Sequence, residues 1–260
     1  MKTYSAFAHR LSPFNKPLFG DRARFGLVTD RSDPMWSEWA EVCSTFYEAS
    51  QLSGFGKTIN EAGYRILGDV DFTGKTVVEI GPGAGPHLPF FDSKPEHYIL
   101  IDIREEFLVA TSQKLADLGI PFETHLLDEA TPYRLPLEDH SIDAMVTFYS
   151  LEHLYPLQPF VDEYRRVLRP GGQMVGAIPA EGGLAWGLGR FLTTRRWLKR
   201  NTSINPDKLI CWEHPHFSDH ILTTLSKAFT FDRLNYWPFR LPIIDTALIL
   251  SFVATLRDDP

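Results

Sequence analysis

Short continuous apolar runs alternate with segments of helical spacing along most of this chain. Residues 76–80 and 98–101 are runs rich in β-branched residues, the pattern of strands buried on both faces. Runs at 122–127, 142–148, 173–178, 229–237 and 246–256 predict five further strands. Between them the apolar positions take helical spacing over 105–118, 159–168 and 218–227, the last with Ser218 as its cap. Ahead of the first strand, Trp36, Trp39, Val42, Cys43, Phe46 and Tyr47 predict a helix over 36–52, and a second covers 58–67. Residues 1–34 show no period, are punctuated by proline and glycine, and read as an extended arm or lid. Strands alternating with helices predict an α/β fold with a mostly parallel sheet.

One stretch changes this outline into a site. After the first strand, which carries Glu79, come Gly81, Pro82, Gly83 and Gly85, then a predicted helix, then the second strand closing on Asp102. Glycines there let the backbone turn sharply and leave no Cβ to keep a ligand away. Strand, glycine turn, strand and acid make a nucleoside-binding unit, in which the acid accepts hydrogen bonds from ribose hydroxyls. The spacing is G-x-G-x-G; a dinucleotide fingerprint is G-x-G-x-x-G, and Pro86 stands at its third glycine. Glu79 ahead of the turn suits a cation better than a pyrophosphate. A phosphate-loop match at 53–58 (Ser-Gly-Phe-Gly-Lys-Thr) fails because Gln51 replaces the leading glycine and no strand precedes it.

These residues resemble the first motif of the class I S-adenosylmethionine-dependent methyltransferases, and within them the type 11-like methyltransferase domain. Leu135-Pro136-Leu137, Ser141-Ile142-Asp143 and the Arg-Arg-Val-Leu-Arg-Pro-Gly-Gly run at 165–172 follow in that domain's order. The resemblance covers 71–257. It implies a Rossmann-like seven-stranded sheet of order 3-2-1-4-5-7-6, strand 7 antiparallel, with helices on both faces. It implies S-adenosyl-L-methionine as cofactor and S-adenosyl-L-homocysteine as product. Glu79, Gly81, Pro82, Gly83, Gly85, Asp102, Ile103 and Tyr149 are then cofactor-binding, and Asp128 and Glu129 reach the adenine. The chain is then one methyltransferase domain: residues 1–70 an arm and helical lid, 71–260 the core, 179–217 an insertion over the acceptor pocket.

His153, just past the fourth strand in a Glu-His-Leu context, is the candidate base, because neutral imidazole accepts a proton near neutral pH. The alternative is a histidine that only lines the site. The base makes oxygen the favoured acceptor atom over nitrogen or carbon. Cys211, His214, His216 and His220 resemble a metal cluster in composition but lack a closed four-ligand spacing, so no metal is expected, and His214 and His216 are assigned to the acceptor. Five cations between Arg190 and Arg200 leave three readings open: an ordinary amphipathic helix, a basic wall in which Arg195 and Arg196 meet an anionic acceptor, or a peripheral membrane contact.

A net charge of −7 argues against nucleic-acid binding. Two cysteines make no disulfide framework, and no apolar signal core opens the chain, so a cytoplasmic location is expected; a small-molecule or carrier-linked acceptor is what the methyltransferase resemblance implies. Oligomeric state is not legible. Two rival functions stand beside methyl transfer: an NAD-dependent oxidoreductase, and a non-catalytic binding protein on the same fold.

Overall fold

The computed structural model describes residues 4–13, 15–50, 54–128 and 132–257. Seven strands form one sheet: β1 (Thr76–Ile80), β2 (His97–Asp102), β3 (Phe122–Leu126), β4 (Ile142–Phe148), β5 (Leu168–Pro179), β6 (Phe229–Trp237) and β7 (Ile249–Leu256). Their order is β3-β2-β1-β4-β5-β7-β6. Only β7 runs against its neighbours, pairing antiparallel with both β5 and β6. The central strands carry continuous apolar runs because both faces are covered, which denies every position a solvated side. Edge strand β3 alternates Phe122, Thr124 and Leu126 with Glu123 and His125, and most of it is exposed.

Among the described residues, ten α-helices surround the sheet. Four precede β1: α1 (Asn15–Phe19), α2 (Arg22–Phe25), α3 (Pro34–Ser50) and α4 (Gly54–Tyr64). Then come α5 (Glu105–Asp117), α6 (Leu157–Val167), α7 (Leu184–Leu192), α8 (Thr194–Asn201), α9 (Pro206–Glu213) and α10 (Ser218–Ala228). α6 and α10 bury Phe160, Tyr164, Ile221 and Leu225 against one face of the sheet. Tyr64, Leu67, Leu108 and Leu115 cover the other. No helix among the described residues is long and apolar enough to cross a membrane.

Several local expectations are corrected. The helix expected after the glycine turn is a single 3-10 turn, Leu88–Phe90. Pro86 and Pro89 withhold the N–H groups that an α-helix there would need. The strand expected at 173–178 starts earlier: β5 already begins at Leu168, with an irregularity opposite residues 142–144. Ser218 does not cap α10; its hydroxyl donates to the Glu181 carbonyl at 2.9 Å. Residues 54–58, the rejected phosphate loop, lie inside α4. The insertion folds as α7, α8 and α9.

The N-terminal segment is not a loose arm. Tyr4, Ala6 and Ala8 are buried. The Asp219 carboxylate holds this segment, accepting from Ala6 N–H at 3.2 Å, Arg10 at 2.8 Å and His9 Nε2 at 3.1 Å.

Candidate active site

Parallel β1, β2 and β4 are neighbours, so the segments leaving their carboxyl ends converge on one edge of the sheet. The Gly81 N–H donates to the Ile101 carbonyl at 2.9 Å and fastens the turn to β2. α5 pins it from outside: Thr111 Oγ1 donates to Gly83 O at 2.8 Å and Lys114 Nζ to Ala84 O at 2.6 Å. Pro82 is buried beneath it and accepts from Gly85 N–H at 3.1 Å. A Cβ on Gly85 would stand 3.0 Å from Thr111, so that glycine serves packing. At Gly83, with φ of +54°, a Cβ would meet nothing within 4 Å. The turn is therefore backed by protein on one side and open at Gly83.

Glu79 is fully buried below the turn. The Tyr98 hydroxyl donates to its Oε2 at 2.9 Å, and His87 Nε2 lies 3.1 Å from the same oxygen. Its Oε1 is buried with no hydrogen-bond partner among the described residues. Asp102 is 7% exposed and accepts from Arg104 N–H at 2.9 Å through Oδ1. Burial pushes its carboxyl up to about 6, against the Arg104 and Ile103 N–H groups. Ile103 is 40% exposed beside it. Asp128 is exposed beyond β3, whose extension is tied to β2 by Leu127 N–H donating to Asp102 O at 2.9 Å. Glu129 lies outside the described residues.

Tyr149 takes a left-handed backbone, φ of +55°, as the chain leaves β4. Its hydroxyl donates to Asn60 O on α4 at 2.9 Å. A Cβ on Gly63 would lie 2.2 Å from that hydroxyl, so glycine in α4 is what permits the helix to close over the ring.

His153 sits in the 3-10 turn after Tyr149, partly exposed. Its Nδ1 is 2.6 Å from the Glu213 carbonyl oxygen at the end of α9. A carbonyl only accepts, so Nδ1 carries the proton and Nε2 keeps its lone pair. His214 packs edge-on against it, ring centroids 4.9 Å apart, and donates from Nδ1 to Glu181 Oε2 at 3.0 Å. Glu181 also takes both terminal nitrogens of Arg190, at 2.5 and 2.6 Å, and the Trp186 indole at 2.9 Å. Burial pushes the Glu181 carboxyl up, but Arg190, His214 and Arg22 outweigh it and hold it down to about 2. Glu152, buried behind His153, is pushed up by burial.

The structure therefore gathers the glycine turn, Asp102, Tyr149, His153 and His214 around the carboxyl edge, and separates the rest. His216 turns away: its Nε2 donates to Leu154 O at 2.9 Å, and burial pulls its pKa down to about 4. Arg195 is 5% exposed and its guanidinium donates to Asp207 at 2.6 Å, so it cannot form the expected basic wall. Arg190, in the same run, is consumed by Glu181. Arg196 is exposed. Cys43 and Cys211 are buried, free thiols. Among the described residues, no three His, Cys, Asp or Glu side chains stand as a metal-holding group.

Sequence reasoning missed His87, Tyr98 and Glu181. The signal for Glu181 was present: it is the last acid before a stretch without any, up to Asp207.

Residues 78–176 match the family model described as a methyltransferase domain. The ubiquinone/menaquinone biosynthesis C-methyltransferase UbiE of Vibrio campbellii is 26% identical over 171 residues, 62% of this chain and 64% of that protein. The malonyl-acyl carrier protein O-methyltransferase of a Marinomonas species is 30% identical over 111 residues, 42% of this chain and 39% of that protein. The matches to curated relatives thus span less than two thirds of those proteins' length. A solved Aquifex aeolicus structure of an S-adenosylmethionine-dependent methyltransferase shares the fold at a TM-score of 0.53 and 16% identity, covering 82% of this chain and 98% of its own.

Proposed function

We propose that this chain, whose residues 78–176 match a methyltransferase domain, is a class I S-adenosylmethionine-dependent methyltransferase that methylates a small-molecule or carrier-linked acceptor, with oxygen as the favoured accepting atom. The observation that carries the reading is the open cradle at Gly83 beside the buried carboxylate of Asp102. A nucleoside with a cationic amino-acid tail fits both. Asp102 would hold the ribose hydroxyls through the oxygen that Arg104 leaves free. Glu79, with one buried oxygen unpaired, suits the ammonium end. Gly81, Pro82, Gly83, Gly85, Ile103 and Tyr149 would line the site, and Asp128 and Glu129 the adenine end. We read the chain as one domain, with residues 1–70 and 179–217 forming the cover.

When bound, S-adenosylmethionine supplies a methyl group on a sulfonium, open to direct displacement. The chain's own contribution is position and one proton acceptor. His153 Nε2 would take the proton from a hydroxyl acceptor, its ring aimed by the Nδ1 bond to Glu213 O. His214 is the neighbouring polar group of the acceptor pocket, fixed by the ionised Glu181. The relatives named above split between a carbon and an oxygen acceptor, and the carrier-linked one supports keeping that acceptor class.

Calorimetry and thermal shift with S-adenosylhomocysteine set against NAD test the cofactor. Stabilisation by NAD alone would overturn the assignment. His153→Asn should lower kcat by roughly 10²–10⁴-fold while S-adenosylhomocysteine affinity stays unchanged. Unchanged kcat would remove the base and the preference for oxygen. Cofactor binding with no turnover on any acceptor would favour a binding protein on this fold.

A further inference from the structure

Three parts of this acidic chain are free of acid. Residues 1–20, 182–206 and 233–244 contain no Asp or Glu and ten Lys and Arg. They are far apart in sequence, yet one side chain joins them. The Asp245 carboxylate accepts from Phe7 N–H at 2.8 Å, Ala8 N–H at 2.9 Å and Leu184 N–H at 3.2 Å. Large apolar side chains stand exposed around that junction: Phe7 is 60% exposed, Leu184 45% and Ile243 46%.

α7 continues the same surface. Leu184, Leu188, Phe191 and Leu192 fall at helical spacing on one side and are all exposed, while Gly187 and Arg190 are buried. The loop from β6 to β7 supplies the other flank. Phe239 and Leu241 are 68% and 50% exposed on either side of Arg240. Leucine and phenylalanine clustered in water at this density mark a surface that meets something apolar.

The charges say what that is. Arg196, Lys199, Arg200 and Arg240 are exposed, with no ion-pair partner among the described residues. Exposed apolar side chains with Arg240 between two of them, and three more unpaired cations on the helix that follows α7, fit the interface of an anionic membrane. A second copy of this chain fits poorly, because a twofold contact would set Arg240 and the α8 cations against their own copies. We propose that this face, built from α7, the 238–243 loop and the Phe7 turn, docks on an anionic lipid surface.

β5 and β6 end at this edge of the sheet and α7 follows β5 within a few residues, so docking would bring the carboxyl edge to the bilayer. That consequence rests on the methyl-transfer reading; the docking does not.

Flotation of the full chain with vesicles of phosphatidylcholine, alone or mixed with phosphatidylglycerol, tests it. The expected result is binding to the mixed vesicles that weakens as salt is raised. Leu188→Ser/Phe239→Ser and, separately, Lys199→Ser/Arg240→Ser should each reduce binding about tenfold or more. Both variants should keep wild-type circular dichroism and S-adenosylhomocysteine affinity, which excludes misfolding. Wild type that stays with the unbound fraction, or variants that float equally well, overturns the proposal. So does light scattering that finds a dimer which the apolar double variant dissociates. Intact flotation with no S-adenosylhomocysteine binding would instead sink the methyl-transfer reading and leave the docking standing.

Discussion

Asp102→Asn isolates the ribose contact from the fold. Asp102 Oδ1 already accepts the Arg104 N–H at 2.9 Å, and an asparagine amide oxygen can keep that bond. What the change removes is the second oxygen and the charge. Loss of one charge-assisted hydrogen bond costs about 1.5–3 kcal/mol, roughly 10- to 150-fold in Kd for S-adenosylhomocysteine. Alanine would confuse this by also releasing the backbone after β2. The carboxyl adds a second signature. Burial pushes it up to about 6, and ribose hydroxyls prefer the carboxylate. Wild-type affinity should therefore fall as pH drops through 6, roughly tenfold between about pH 7.5 and pH 5, while the variant stays flat there. Stability moves the other way. A raised folded pKa means that the buried charge destabilises the free protein above about pH 6, and the effect is gone below the ordinary carboxylate range. Without ligand, Asp102→Asn should melt higher than wild type near pH 7.5 and lose that margin near pH 4. Titration calorimetry at two pH values and thermal scans check both. An unchanged Kd at pH 7.5 in the folded variant would refute the ribose assignment.

Three more outcomes are expected. Gly83→Ala should cost the fold only about 1–2 kcal/mol for its left-handed backbone, yet weaken S-adenosylhomocysteine more, since the new methyl enters space that no protein atom fills; equal losses in melting and binding would mean that the cradle is only a turn. Glu181→Gln strips the charge from a buried partner of Arg190 and should cost about 3–5 kcal/mol in urea unfolding. Because Glu181 is held down to about 2, its stabilisation should be full above the ordinary carboxylate range and lost as pH falls toward 2, a loss absent from the variant. Elemental analysis of the purified protein should find no stoichiometric zinc, and one zinc per chain lost on Cys211→Ser would contradict the buried-thiol reading of that segment.

The residues proposed for the cofactor could be picked out of the sequence because they lie at strand ends. β1, β2 and β4 are buried on both faces, so each reads as an apolar run, and the polar residue that closes it stands out, as Asp102 does. The sheet order came from the family resemblance. Partnerships between distant residues were not legible. Nothing local separates Arg195, tied to Asp207, or Arg190, tied to Glu181, from exposed Arg196. The amphipathic spacing of 186–200 read as one helix, where the structure has α7 and α8 broken at Thr193, and it could not say which cations were already spent. Ser218 had the right residue type for a cap, and the Glu181 carbonyl took its hydroxyl instead. The Phe7 to Arg10 segment lacked periodicity because its order comes from Asp219 and Asp245, not from its own pattern.

The Asp219 clasp has a consequence for synthesis. Ala6 and Asp219 are 213 positions apart, so the early segment emerges from the ribosome long before its partner exists. At roughly 5–20 residues per second that wait is about ten to forty seconds. Through it Tyr4, Ala6 and Ala8 have no buried place to go. The place of Tyr4 and Ala6 in the core, beside Ile221 and Leu225, is complete only once α10 is made. A fusion partner placed ahead of residue 4 would sit where that late clasp must close, next to Tyr4 and Ala6, which pack into the sheet's own core, Tyr4 against Phe231 of β6.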